Sequence, residues 1–239
     1  MGVLTESGVE VVHHYAPLHY LVFIARDRCL RSKPSLKAAG FNGKHLRSKS
    51  NRQDVERGFG AYAFMTIEQE PRITKAKLKA GFPHIGLGVP AKSVEATTFD
   101  LTRFNVAMTR RLRRGSSEGW PESEGNGRYY DQHQMPVARS DSEKRSLLAA
   151  HLSRNMIEVL VHGNVPLPDD TSVLAYSQRD EEAALHILEQ LGVPWDVALA
   201  PQADRYIPNI GYAKRVDEFI EQALADPQWR GNGLEFDRV

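Results

Sequence analysis

Arg154-Asn155-Met156-Ile157-Glu158-Val159-Leu160-Val161-His162-Gly163-Asn164-Val165-Pro166 joins a helix-type segment to a short β-branched run. Ile157, Val159 and Val161 alternate as one face of a half-buried strand, and Glu158 and Leu160 take the other. Glu158 stands where the pattern expects an apolar side chain. A carboxylate there is costly to bury unless it is paired or used. Two readings stay open: an edge strand with Glu158 in water, or a strand that carries a working carboxylate.

Working outward, Ser142 to Asn155 reads as the strongest central helix, with Ser140, Asp141 or Ser142 as N-cap and Glu143 favourable in its first turn. Val9 to Tyr15 reads as a short strand with two histidines, and Leu18 to Leu30 as an amphipathic helix. Ser32 to Gly60 is rich in Lys, Arg, Ser, Asn and Gly with little periodicity, so a long functional loop is expected. Strands are expected at Tyr62 to Ile67, Ile85 to Val89 and near Val173 to Tyr176, with a short helix at Ile73 to Ala80. Glu95 to Met108 reads as a strand and its connection, and Gly115 to Gln134 as a loop. Further helices are expected at Asp180 to Leu191, ended by Gly192 and Pro194, and at Ala213 to Ala225, ended by Pro227. No internal repeat or linker interrupts the chain, and one α+β domain over residues 1–239 is expected.

Composition narrows the function classes. A chain of 239 residues with 41% hydrophobic and 26% charged residues has the make-up of an ordinary soluble globular protein. It holds no run of eighteen apolar residues, so no membrane segment is expected. Met1 to Glu10 lacks a basic region followed by an apolar stretch, and no secretory signal is expected. Cys29 is the single cysteine, which excludes an intrachain disulfide and cysteine-rich zinc sites and fits a reducing cytoplasm. The nine histidines show no metal-ligand spacing, and no metal is expected.

The charge is unevenly spread. Residues 26–57 hold ten Lys/Arg against three Asp/Glu, a local net of +7, whereas Asp169 onward holds six against fourteen, a net of −8. Arg110, Arg111, Arg113 and Arg114 form a second basic cluster. One cationic face that holds phosphates accounts for this, as does a solvated charged surface.

Three separated pieces stand in a telling order: His14-Tyr15-Ala16-Pro17 before a helix that ends at Leu30-Arg31-Ser32, then Gly60-Ala61-Tyr62-Ala63-Phe64-Met65-Thr66-Ile67, then a helix leading into Asn155 to Val161. In this order the chain resembles the DarT-type DNA ADP-ribosyltransferases, over roughly Val9 to Pro166. Members of that family start on a histidine-aromatic-threonine motif, end the helix on a glycine turn, and carry a middle aromatic strand and a terminal glutamate followed by Leu-Val. Here Ala16 stands in place of the threonine, and Arg28-Cys29 in place of the turn glycine. The middle strand also lacks the extended Tyr-Val-Pro-Phe-Tyr-Phe pattern of one branch. The resemblance implies a single ADP-ribosyltransferase-like domain with a split central β-sheet flanked by helices, residues 167–239 forming its C-terminal helical extension.

The resemblance also implies NAD as the ADP-ribose donor, with Glu158 as the catalytic carboxylate and His14, with Tyr15 and Ala16, against the nicotinamide end. An arginine before the middle strand belongs to the family's site. Arg47, Arg52 and Arg57 are the candidates, and distance to Tyr62 favours Arg52 as the catalytic one. Tyr62 is expected to touch the cofactor and Phe64 to be core, since aromatics in central strands are commonly core. Arg47, Arg57, Arg110 and Arg111 are expected on nucleic acid.

The implied function is transfer of ADP-ribose to a base of single-stranded DNA, by the toxin of a toxin–antitoxin or phage-defence pair whose partner is a macrodomain antitoxin. The competing readings are an ADP-ribosyltransferase acting on RNA or protein, and a non-catalytic nucleic-acid-binding module.

Overall fold

A computed structural model describes residues 2–41, 59–69, 72–102, 137–151, 157–201 and 206–231. The strands are β1 (Val11–Pro17), β2 (Cys29–Leu30), β3 (Tyr62–Thr66), β4 (His84–Pro90), β5 (Phe99–Thr102), β6 (Val137–Ala138), β7 (Glu158–His162), β8 (Val165–Pro166), β9 (Ser172–Ala175) and β10 (Asp196–Leu199). Eight of them form one sheet in the order β10-β9-β4-β1-β3-β7-β5-β6, and β2 and β8 pair separately.

The expected split runs through the middle of this sheet. β1 is in register with β4 over seven pairs and β3 with β7 over five, but β1 and β3 share the single pair His13↔Thr66. Two well-laddered halves therefore meet at one point. β7 lies inside one half, between β3 and β5. The edge-strand reading of Glu158 is thereby corrected, because the partner strands come from remote stretches of chain that local periodicity does not reveal.

Most helices pack on the face of the main core, and one of them places Leu78 against Tyr15 and Leu174 on the opposite face. α1 (Val3–Glu6), α2 (Leu21–Asp27), α3 (Lys33–Ala38), α4 (Arg72–Lys79), α5 (Ala91–Glu95), α6 (Asp141–His151), α7 (Gln178–Leu191) and α8 (Ile210–Ala225) follow in chain order. The main core joins Val12, Leu87, Met65, Val159 and Val161 of the sheet to Leu21, Val22 and Ala25 of α2. Ile187 and Leu188 of α7, with Val216, Phe219 and Ile220 of α8, complete it. The sequence expectation of Ile157, Val159 and Val161 on one face holds, and that face is the core.

Cap chemistry sets the helix ends. Ser140 and Glu143 form a reciprocal box, the Ser140 N–H donating to Glu143 Oε2 at 2.8 Å and the Glu143 N–H to Ser140 Oγ at 3.3 Å. Ser177 and Asn209 accept from Asp180 and Tyr212 N–H groups, each at 3.1 Å. Gly192 ends α7 in the left-handed region, as its position after the last periodic residue predicts.

Three expectations change. Leu18–Tyr20 is a 3-10 turn, and α2 ends at Asp27 because Arg28 turns left-handed at φ 45°, the place where the resembled family has glycine. Cys29 and Leu30 then leave the helical pattern to pair with Pro166 and Val165, a tertiary ladder overriding local periodicity. Within Ser32 to Gly60, α3 replaces the start of the expected loop. The strand expected within Glu95 to Met108 is β5, which follows helix α5. From residue 167 onward the chain supplies β9 and the parallel edge strand β10 as well as its two helices. Among the described residues, no helix is long and apolar enough to cross a membrane.

Asp180 offers a test of the packing between α7 and its surroundings. It is 2% exposed, and burial pushes its carboxyl up to about 6, against the opposing pull of Ser177 and Arg179. Below about pH 4 the carboxyl is protonated in both the folded and unfolded states. Between about pH 4 and 6 the unfolded chain releases the proton while the folded chain keeps it, so this group lowers folding stability as pH rises, by about 3 kcal/mol at the plateau. Thermal melts should therefore show Asp180→Asn gaining on the native chain from pH 4 to 6 and holding that gain above it. A difference that does not change with pH would refute this assignment.

Candidate active site

The face of the two central half-sheets opposite the main core carries the polar residues. Strand alternation puts Glu158, Leu160 and His162 on this face of β7, opposite the core residues Val159 and Val161. Register then sets the rows. His13 of β1 pairs with Thr66 of β3, Thr66 with Glu158 of β7, and Glu158 with Thr102 of β5. These four side chains form one polar row that crosses the split, with the carboxylate two strands, about 10 Å, from His13.

Glu158 is only 9% exposed, Thr66 is half-buried and Thr102 fully buried. The Thr66 hydroxyl donates to the Ile157 carbonyl at 3.2 Å and accepts the Glu68 N–H at 3.0 Å, which holds it beside the carboxylate. Leaving Glu158 in water is no longer an available reading. A carboxylate with this little exposure, in a sheet interior, is costly to keep charged unless it is paired or used.

His14 occupies the gap where the β1–β3 ladder stops. Its Nδ1–H donates to the Phe64 carbonyl at 2.8 Å, a backbone acceptor that a continuous ladder would have satisfied. Burial lowers the His14 pKa despite that bond, and the nearby Lys77 ammonium lowers it further. The ring is thus neutral at pH 7, and its Nε2 is a hydrogen-bond acceptor. Tyr15 is half-buried, donates its hydroxyl to the Glu68 carbonyl at 3.3 Å, and stacks on His13 with ring centres 6.2 Å apart. Its ring lies over Gly86, where a Cβ would come within 3.0 Å of the ring edge. Ala16 is buried on the core side.

Phe64, expected as core, is half-buried on the Glu158 face one row further along, paired with Leu160. The Lys33 ammonium of α3 stands 5.9 Å from the Phe64 ring centre. Asn164 fixes that helix, accepting the Ser32 N–H at 3.0 Å and donating to Ser35 Oγ at 3.1 Å. Tyr62 lies in the third row, paired with His162, four residues along β3 from Thr66. It packs on Phe59 and His162 at ring-centre distances of 5.7 and 4.5 Å.

The structure thus sets Glu158, His13 and Tyr15 on one face near the split, with Tyr62 at the far end of that face, while alternation turns His14 to the other side of β1, where its ring reaches the Phe64 carbonyl. Arg47, Arg52, Arg57, Arg110 and Arg111 lie outside the described residues, as does the loop expected at Gly115 to Gln134. Sequence reasoning missed His13, Thr66, Thr102, Lys33 and Lys77. The doubled histidine at 13–14 was visible, but only the β1–β3 register tells which ring shares the Glu158 face. Among the described residues, no group of three or more His, Cys, Asp or Glu is placed to hold a metal ion.

No family model and no curated protein sequence matches the chain. Solved structures do. Thermus sp. 2.9 DarT in complex with ADP-ribosylated single-stranded DNA superposes with a TM-score of 0.52 at 16% identity, covering 83% of this chain and 97% of that one. The same protein in complex with NAD+ gives 0.50 at 16% identity, covering 83% and 98%. Across nearly the whole of those chains, this protein has the DarT fold.

Proposed function

We propose that this protein is a mono-ADP-ribosyltransferase that transfers ADP-ribose from NAD to a base of single-stranded DNA. The observation that carries the reading is the placement of Glu158: a buried carboxylate on the face opposite the main core, in register with Thr66 and His13 across the split. The solved structures of the same fold hold NAD+ and ADP-ribosylated single-stranded DNA.

The residues at the split suit a dinucleotide. His14 presents an acceptor nitrogen, Tyr15 a flat ring over a glycine, and Lys77 and Lys33 positive charge near the gap. NAD supplies an ADP-ribosyl group whose glycosidic bond breaks through an oxocarbenium-like transition state. Glu158 accepts a ribose hydroxyl hydrogen bond, stabilises the positive charge that develops nearby, and takes the proton from the attacking base nitrogen. Low exposure strengthens each of these effects, because little water screens the carboxylate. His14, Tyr15 and the backbone at Ala16 orient the nicotinamide end. Among the loop arginines Arg52 contributes a planar fork for the diphosphate or the acceptor base, with Arg47 and Arg57 beside the nucleic acid.

Arg110 and Arg111, with the +7 segment, extend the cationic path for the strand. A single strand suits base chemistry because no unstacking from a duplex is required. The family resemblance extends the reading to a toxin, acting in a reducing cytoplasm, whose mark a macrodomain antitoxin removes.

Glu158→Gln, which keeps shape and removes charge, should cut transfer by at least about 10²-fold with an unchanged thermal melt. The measurement uses NAD labelled on its adenylate, with single-stranded DNA, duplex DNA, RNA and protein as acceptors. Label on single-stranded DNA is the expected result. Near-native turnover in folded Glu158→Gln removes the carboxylate from the mechanism, and label on RNA or protein alone replaces the acceptor.

Arg52→Ala should lower transfer more than Arg47→Ala or Arg57→Ala. Equal, small losses for all three would mean that the segment supplies diffuse charge only. Binding of single-stranded DNA should weaken with salt at a slope of roughly 0.7 per phosphate contact, and Arg110→Glu with Arg111→Glu should flatten that slope. A slope unchanged by charge reversal would exclude these two arginines from the strand path.

A further inference from the structure

The Glu158 face of the sheet holds a second polar group, which the donor chemistry at Glu158 does not use. His162 ends β7 on that face, and its side chain is 43% exposed. Its Nε2–H donates to Asp100 Oδ2 at 2.8 Å, and the Asp100 side chain is 6% exposed. A carboxylate buried this deeply is satisfied by the imidazole, which it holds in one orientation. The other ring nitrogen, Nδ1, has no hydrogen bond among the described residues and belongs to the exposed part of the ring.

Tyr62 adds an aromatic wall, its ring edge-on to His162 at 4.5 Å and 63°. Burial pushes the Tyr62 hydroxyl pKa up and Asp100 adds to this, so the hydroxyl stays a neutral donor. Phe59, Val137 and Leu160 form the apolar base of the cluster.

Geometry relates this group to Glu158. Positions 158 and 162 lie four residues apart on one face of one strand, about 13 Å along it. With a base reacting beside Glu158, that separation reaches past the base to the next nucleotide of the same strand. Between them lie two apolar side chains, Leu160, which is fully buried, and Phe64, which is half-buried.

Resting on the transferase reading, we infer that His162 and Tyr62 form the subsite for the acceptor nucleotide next to the modified one. The His162 Nδ1 supplies a hydrogen bond and Tyr62 a stacking surface, with Asp100 as the positioning residue for the imidazole. This gives the enzyme a contact made by a strand and not by an isolated nucleotide.

The test compares a short single-stranded deoxyoligonucleotide with free deoxynucleotides as acceptors. His162→Ala should raise the KM for the oligonucleotide about tenfold, the scale of one stacked, hydrogen-bonded nucleotide, while the KM for NAD stays at its native value. The preference for oligonucleotide over free nucleotide should shrink by the same factor. Asp100→Asn should give a smaller rise, and none in the His162→Ala background, because its effect passes through that ring. His162→Gln, at a half-exposed position, supplies the variant if Asp100→Asn does not fold.

An unchanged oligonucleotide KM, or an NAD KM that rises with it, overturns the subsite. Should the native protein modify no nucleic acid, fluorescence anisotropy of a labelled oligonucleotide separates the two readings. Weaker binding by His162→Ala then upholds the subsite while the transferase reading falls, and equal binding overturns both.

Discussion

The broken ladder between β1 and β3 is the constraint on which the rest of the site depends. A β-ladder satisfies backbone polar groups in pairs, and wherever it stops each freed carbonyl needs another partner or costs free energy. Here one pair, His13↔Thr66, holds the two half-sheets together, and the His14 ring takes the Phe64 carbonyl that the missing ladder leaves over. A side chain thus stands in for backbone. That substitution opens a gap in an otherwise continuous sheet and fixes the imidazole in it as a neutral acceptor.

Burial and register then turn an ordinary strand into a site. Glu158 belongs to a strand whose other face, Val159 and Val161, is sealed into the main core. Core packing prevents β7 from sliding, because a one-residue slip would expose both valines and bury Glu158 among them. The same hydrophobic contacts that stabilise the fold therefore aim the carboxylate. Thr66, bonded to the Ile157 carbonyl and the Glu68 N–H, keeps the neighbouring side of the pocket in place.

The Glu158 face also orders its chemistry along β7. Glu158 stands at one end, beside the split. Leu160 and Phe64 form an apolar middle, and the Asp100–His162 pair stands at the far end with Tyr62. This order places both polar groups on one strand, where their spacing is set by strand rise and not by loop conformation. Lys33 joins the same surface only because Asn164, in the turn after β7, fastens the start of α3.

The sequence by itself determined the elements whose signals are local. The cap near Ser140 with Glu143 in the first turn and the Gly192 stop are read from neighbouring residues, because capping bonds span only three or four positions. It also singled out Glu158 as a carboxylate in a strand pattern, and His14 through the motif order. Only the tertiary structure decided that β7 is interior, that Arg28 turns left-handed so that Cys29 and Leu30 can pair with β8, and that β10 joins the sheet. The partners in each case lie far away in the chain. Register between remote strands likewise chose His13 for the Glu158 row, set Phe64 against the smaller cluster of Phe59, Val137 and Leu160, and brought Asp100 to His162. Periodicity states which residues share a face of one strand, but the ladder between strands selects what they face, and that selection is made by the energy of the whole sheet.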